Sequence, residues 1–443
     1  MAIDQSDVPA DDVVRRALEL AGAGNFYEGD SFLQALVERS ETPAQALAWL
    51  DALAERFGEG PAMRPWVALA RACQANVFQA AGSLGEAFNT RLRLVHAYSA
   101  DRHPIVDAIV VGAMERICRY LNAKGETVKA RRVLDEIADR CQHDDNPAHH
   151  IMIARLFDEV AGGVDVARPA GHAGAHPFDA ALLAELDALV KRGEMTAATH
   201  RKHVDALHGL QASASTAAAD LHMRALGVVE AYRRDGDPFA LFLRNFDVET
   251  FRSTVPTADG DALLLGSYAD EARIEAAIMA GLVSAEGLSR PVPMVGIANP
   301  SLGTARPRYQ HAVPKLELPD RIWRAALIEL ADRAAMIVIE ITSASPGVAF
   351  ELRALSALGR QDATLAILSE SGRGADPVLL GALLGQGPDH VPPLIADVCQ
   401  VLRSFPHVVS EADLPFDDLR SVPVIAAALE RIGRSPSSMP HRC

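Results

Sequence analysis

The pattern of apolar residues changes near Pro238, and this change limits the chain to a fold with two different parts. From about Asp11 to Val160, apolar residues recur at helical spacing among Ala, Leu, Arg and Glu, which lose little freedom on entering a helix. After Pro238, short apolar runs alternate with amphipathic helical stretches. A chain of 443 residues is also too long for one ordinary core. We therefore predict an all-helical first half and an α/β second half.

The second half has the order expected of a parallel sheet. Four apolar runs of strand length are predicted as buried strands: 239–248, 292–300, 335–342 and 363–370. Helical patterns lie between them at 267–283, 320–334 and 345–360. Strands that alternate with helices form right-handed βαβ units. The sequence thus predicts a doubly wound, flavodoxin-like α/β domain over residues 238–435.

The first half contains a repeated pattern of a Gly turn followed by a small residue and an amphipathic run. Gly82 and Gly125 fit the turn between two helices, and Ala87 and Ala130 fit a close helix crossing. This pattern resembles the tetratricopeptide repeat, with 23–38 as a degenerate third copy, although the two clearer copies are 43 residues apart where that family has about 34. We predict helical hairpins over 1–160. Such a surface either binds a protein or ligand on a concave face or packs as a plain bundle.

Between the two halves, residues 161–177 are dominated by Gly, Ala, Pro and His, a composition that favours a flexible linker or loop. Helical signal returns over 178–237. We expect the linker to be sensitive to proteases.

Composition argues against several classes of function. With a formal net charge of -15, a nucleic-acid partner would have to bind at a local basic patch. No such patch stands out in the sequence, so we expect no nucleic-acid partner. The chain shows neither a signal peptide nor a membrane-spanning run, and its five widely spaced cysteines suit a reducing cytoplasm. The segment CQHDDNPAHH matches no standard zinc spacing, so we predict no metal there. The motifs GxGxxG, GxxxxGKS and GxSxG are absent, which argues against a Rossmann dehydrogenase, a P-loop ATPase and an esterase, respectively.

Ligands of open parallel sheets bind at the carboxyl ends of the strands, so the loops there hold the candidate site. Arg244 directly follows a buried run and needs an anionic partner, either a ligand phosphate or a structural carboxylate such as Glu340 or Glu351. The loop 301–319 is long enough to be a ligand-contacting lid or a solvated insertion. Ser345 is placed to cap the helix that carries Glu351.

Glu351 lies two turns into that helix and is able to face the cleft, where a carboxylate stabilises positive charge or acts as a base; as an ordinary surface glutamate it would do neither. The predicted ligand-binding residues are Arg244, Asn245, Phe246, Asp247, Asn299, Arg308, Tyr309, Thr342, Ser343 and Ser345.

The runs LFLRNFD, VPMVGIANP, IWRAALIELADRAAMIVIEIT and SPGVAFEL together resemble a bacterial TIR-like domain family, over about 238–370. The wider TIR class includes enzymes that cleave the bond between nicotinamide and ribose in NAD with one glutamate. The resemblance places that glutamate at Glu351, with Ser343 or Ser345 as the accompanying serine. Ala349 and Phe350 stand where the class often has Cys and Trp. We expect no resident cofactor, with NAD as a candidate substrate.

Two functions from different classes follow from the resemblance. In the first, the α/β half hydrolyses NAD in bacterial immunity or stress signalling, and the helical half senses a protein partner or drives self-association. In the second, the α/β half is a non-catalytic scaffold that binds a nucleotide or another TIR-like domain. A hydrolase acting on a different bond between a base and ribose is a third, weaker possibility.

Overall fold

We describe the protein from a computed structural model. It describes residues 11–23, 26–58, 60–167, 186–244, 292–298, 313–319, 321–341, 344–368 and 391–410, with the single positions 278, 426, 427 and 430.

The chain divides into two compact units. The helical unit comprises residues 1–141 and 156–163, and the α/β unit comprises residues 142–155 and 164–443. The boundary falls inside a helix, so the first half of that helix belongs with the sheet. Part of the predicted linker is described, and residues 162–167 form neither helix nor strand.

The helical unit is built from consecutive α-helices. They are α1 (Asp11–Gly22), α2 (Phe26–Arg39), α3 (Pro43–Phe57), α4 (Arg64–Ala80), α5 (Leu84–Tyr98), α6 (Pro104–Ala123), α7 (Thr127–Cys141) and α8 (Pro147–Ala161). The last of these, α8, begins in the α/β unit and ends in the helical unit.

The two predicted helix turns are confirmed. Gly82 joins α4 to α5 at φ 74°, and Gly125 joins α6 to α7 at φ 75°. Only glycine adopts this left-handed backbone at little cost. Ala87 and Ala130 are buried at 1% and 0% exposure, where α5 packs on α4 and α7 packs on α6. A small residue at each point permits the close approach of the paired helices.

The α/β unit contains one sheet of six parallel strands and the helices around it. The strands are β1 (Ala240–Arg244), β2 (Met294–Ala298), β3 (Lys315–Glu317), β4 (Met336–Ile341), β5 (Thr364–Leu368) and β6 (Val408–Ser410). Their spatial order is β3-β2-β1-β4-β5-β6. The helices are α9 (Ala197–Asp235), α10 (Trp323–Arg333), α11 (Pro346–Ala357) and α12 (Pro393–Leu402). An α/β second half is therefore confirmed.

The connections leave β1 and β4 in opposite directions. From β1 the chain goes to β2 and β3 on one side of the sheet, whereas from β4 it goes to β5 and β6 on the other. Right-handed crossovers then require helices on both faces. On one face, Phe242 and Val338 pack in a cluster with Ile278, a helical residue from the β1–β2 connection.

Two strands and one helix were not predicted. The loop expected over 301–319 is wrong at its end, because β3 forms there with Lys315 and Glu317 both buried. The strand β6 and the helix α12 were also missed. The predicted helix over 267–283 lies outside the described residues except for position 278. In the part of the chain that the structure describes, no helix has the length and apolarity that a bilayer crossing requires.

Candidate functional site

The candidate site lies where the sheet connections diverge, between the neighbouring strands β1 and β4. Arg244 is the last residue of β1, and its Cα is paired with that of Glu340 near the end of β4. The register therefore pairs the backbones of the two residues that the sequence offered as partners. The Glu340 side chain is fully buried.

The helix α11 follows β4 and begins beside this point. Ser345 is its N-cap, with an extended backbone at φ -127° and ψ 161°, and its Oγ accepts a hydrogen bond from the Val348 N–H at 3.2 Å. Pro346 occupies the first turn, where its missing N–H costs nothing. Both features confirm the predicted helix start. Glu351 lies in the second turn, and only 3% of it is exposed.

The helix is fixed next to Glu351 by an aromatic cluster. Phe350 is fully buried, and its ring meets those of Trp323 at 5.6 Å and His150 at 5.3 Å, both edge to face. The guanidinium of Arg324 lies over the Phe350 ring at 5.1 Å and over the Trp323 ring at 4.7 Å. Contacts between a cation and an aromatic face are stronger when they are shielded from water. The backbone that carries Glu351 therefore has little freedom.

Arg324 also holds the segment that precedes α8. It donates hydrogen bonds to the Asp145 carboxylate at 2.9 Å and to the Gln142 carbonyl. His150, at the start of α8, bonds the Asp144 carbonyl through Nε2 at 2.6 Å. Since a carbonyl only accepts, Nε2 carries the proton. Burial lowers the pKa of His150 to about 4, so the ring is neutral near pH 7.

A second buried carboxylate serves a structural role. Glu329 on α10 is 3% exposed, accepts a hydrogen bond from the Val164 N–H at 2.6 Å and pairs with Arg233 at 2.8 Å. Arg333, one turn further along α10, pairs with the same carboxylate. Arg233 also donates to the Val164 carbonyl at 3.1 Å. This network fixes the chain at Val164 to the end of α9 and to α10.

The structure describes only part of the predicted site. It places the backbone of Arg244 beside Glu340 of β4, and it places Ser345 and Glu351 on α11, the helix that follows β4. The other predicted ligand-binding residues lie outside the described residues: Asn245, Phe246, Asp247, Asn299, Arg308, Tyr309, Thr342 and Ser343. Their roles stay predictions.

Sequence reasoning missed the cluster around Phe350. The adjacent Trp323 and Arg324 are visible as a helix start, but nothing local connects them with His150, which is far away in the chain. Only the fold brings these residues together.

Comparisons with known proteins identified no relative of this chain. No protein-family model matches the chain, and neither a curated protein nor a solved structure is similar to it.

Proposed function

We propose that the α/β unit is a TIR-like nucleotide-binding domain that cleaves the bond between nicotinamide and ribose in NAD, with Glu351 as the catalytic residue. The observation that supports this proposal most is the position of the candidate residues at the β1–β4 divergence. Open α/β sheets bind their ligands in the crevice at such a point. Arg244 ends one of the two strands, and Ser345 and Glu351 follow the other.

The strand order supports nucleotide binding in either of two ways. Taken whole, β3-β2-β1-β4-β5-β6 is the order of dinucleotide-binding domains. Without the three-residue edge strand β3, the remaining five strands have the flavodoxin-like order that the TIR-like resemblance implies. Both orders place the ligand beside β1. The missing GxGxxG motif favours the second interpretation.

The proposed chemistry is hydrolysis of an N-glycosidic bond. The bond from ribose C1′ to the nicotinamide nitrogen breaks, and nicotinamide leaves with the bonding electron pair. Positive charge develops on the ribose, and a carboxylate at Glu351 stabilises it. Water then adds to C1′ and releases a proton, giving ADP-ribose. In this scheme Arg244 holds the diphosphate of NAD, because a guanidinium donates strong hydrogen bonds to phosphate oxygens.

We assign the helical unit the role of a sensor or an assembly domain. Its paired helices turning at Gly82 and Gly125 are of the kind that stack into extended binding surfaces. Its partner is then a protein or a second copy of this chain.

The test is release of nicotinamide from NAD by concentrated full-length protein, in its monomeric and any assembled fractions from size-exclusion chromatography. We expect turnover by the wild type, none by Glu351→Gln, and weaker NAD binding in Arg244→Ala. Asp362→Asn is the matched control, since Asp362 is an exposed carboxylate of the same unit. Turnover that survives in Glu351→Gln would contradict the assigned role of Glu351.

One observation favours the non-catalytic scaffold as a second candidate. Glu351 is almost completely buried, and a catalytic carboxylate has to reach its substrate. NAD binding without nicotinamide release in any fraction would support the scaffold. The two proposals thus differ in turnover and share the binding site.

A further inference from the structure

The helical unit contains a buried cation whose partners are neutral. Arg91 on α5 is 6% exposed, and its Nη2 donates to the side-chain oxygens of Asn76 at 3.1 Å and Gln79 at 2.7 Å, both on α4. Within the described part of the chain, no carboxylate forms an ion pair with it. Removing a charge from water is costly unless an opposite charge compensates it. The two amide oxygens orient the guanidinium, but they are neutral and do not compensate its positive charge.

The rest of the Arg91 guanidinium is available to a further acceptor. An arginine has five N–H donors, and the two of Nη2 suffice for Asn76 and Gln79. Nε and Nη1 have no partner among the described residues, yet they are not enclosed. By contrast, the Nε atoms of Arg140 and Arg324 are fully buried without a partner. Arg91 therefore presents donors that still reach solvent.

The helix α6, which packs on α5, carries a second arginine. Arg116 on α6 is exposed and forms no ion pair or hydrogen bond with any residue that the structure describes. Burial, together with the charge of Arg116, lowers the pKa of Arg91 to about 10.

Glu115, the residue before Arg116, and Glu159 pair with a different arginine. Glu115 and Glu159 both pair with Arg119, at 2.5 and 3.0 Å. Within the described part of the chain, neither carboxylate forms an ion pair with Arg91 or Arg116.

We propose that Arg91 and Arg116 form a binding site for an oxyanion, a carboxylate or a phosphate, on the helical unit. Asn76 and Gln79 hold the Arg91 guanidinium in one orientation before the ligand arrives, which lowers the entropy lost on binding. Hydrogen bonds from a charged donor to a charged acceptor are the strong ones. The site lies wholly within the helical unit, so this proposal does not depend on NAD hydrolysis by the α/β unit.

The test is isothermal titration of the full-length protein at low, constant ionic strength. One arm uses inorganic phosphate, and the other uses a short glutamate peptide that represents the carboxylates of a protein partner. The variants are Arg116→Gln, which removes an exposed charge, and Arg91→Lys, which keeps the charge and loses the fixed guanidinium. Arg132→Gln is the matched control, because Arg132 is an exposed arginine on α7 of the same unit.

We expect saturable binding in at least one arm. It should weaken about tenfold in both site variants, the equivalent of one lost charge-assisted hydrogen bond, and stay unchanged in Arg132→Gln. Binding of the peptide alone identifies a protein partner, and binding of phosphate identifies a phosphorylated ligand. No saturable binding in either arm, or equal weakening by Arg132→Gln, overturns the proposal. If circular dichroism shows that Arg91→Lys is unfolded, Arg116→Gln alone decides.

Discussion

The two units bury charge in opposite ways. In the α/β unit, the Glu329 carboxylate has a backbone N–H and two arginines around it, so its charge is compensated within the fold. In the helical unit, Arg91 has two amide oxygens as its only partners among the residues that the structure describes. A buried charge that has lost its partners destabilises the fold strongly, and a buried charge that has none within the fold gains from a ligand of opposite charge. Glu329 is therefore expected to be structural and Arg91 to bind a ligand, although both are almost fully buried.

The largest effect is expected at the compensated charge. Glu329→Gln keeps the shape of the side chain and removes the charge, which leaves Arg233 and Arg333 facing each other. We expect the free energy of unfolding of the α/β unit to fall by about 3 to 5 kcal/mol in urea denaturation. Asp362→Asn, at an exposed carboxylate of the same unit, should change it by less than about 0.5 kcal/mol. Equal small effects of both variants would show that Glu329 is not a structural anchor.

A slightly smaller effect is expected from pH. The pKa of His150 is near 6.5 in the unfolded chain and about 4 in the folded protein. Between these values the unfolded state binds more protons, so the free energy of unfolding falls as the pH is lowered from about 6.5 to 4. This contribution is fully present above pH 6.5 and reaches up to about 3 kcal/mol.

The control for this prediction is a neighbouring histidine. His150→Gln should flatten the dependence of urea-induced unfolding on pH, whereas His143→Gln, at an exposed position of the same segment, should leave it as in the wild type. The same slope in the wild type and in His150→Gln would mean that the ring is not held neutral by burial.

The smallest effect should come from the uncompensated charge. Arg91→Met removes a buried cation that no carboxylate neutralises, so we expect the free energy of unfolding to stay within about 1 kcal/mol of the wild type. Arg140 on α7 is the contrast, since its side chain is 7% exposed and pairs with Asp107 at 2.6 Å. Arg140→Met should be clearly more destabilising in the same urea titration. If the two variants lose equal stability, the distinction between binding and structural charges fails in this unit.

The sequence predicted those helices and strands whose apolar pattern is long enough to be recognised. The strands β1, β2, β4 and β5 lie within the predicted runs, and α10 and α11 lie within predicted helices. Strands β3 and β6 have only three residues each, and β3 begins and ends with charged residues, so neither has a recognisable pattern. Short edge strands form because the sheet offers them a partner, which is a tertiary effect.

The candidate site was predictable to a similar degree. The cap at Ser345 follows from local chemistry, and the resemblance pointed to Glu351, which the structure places on the helix after β4. The burial of Glu351 depends on contacts between distant segments. The same is true of the hydrogen bond that Glu329 accepts from the Val164 N–H, 165 residues earlier in the chain. No periodicity or motif encodes such contacts.

The proposed nucleotide site at the divergence of β1 and β4 is tested most directly by hydrogen exchange with and without NAD. We predict that NAD slows amide exchange in the peptides that contain β1, β4 and the first turns of α11, and that Arg244→Ala abolishes this protection. Protection that is absent from these segments, or that appears only in the helical unit, would contradict the proposed site.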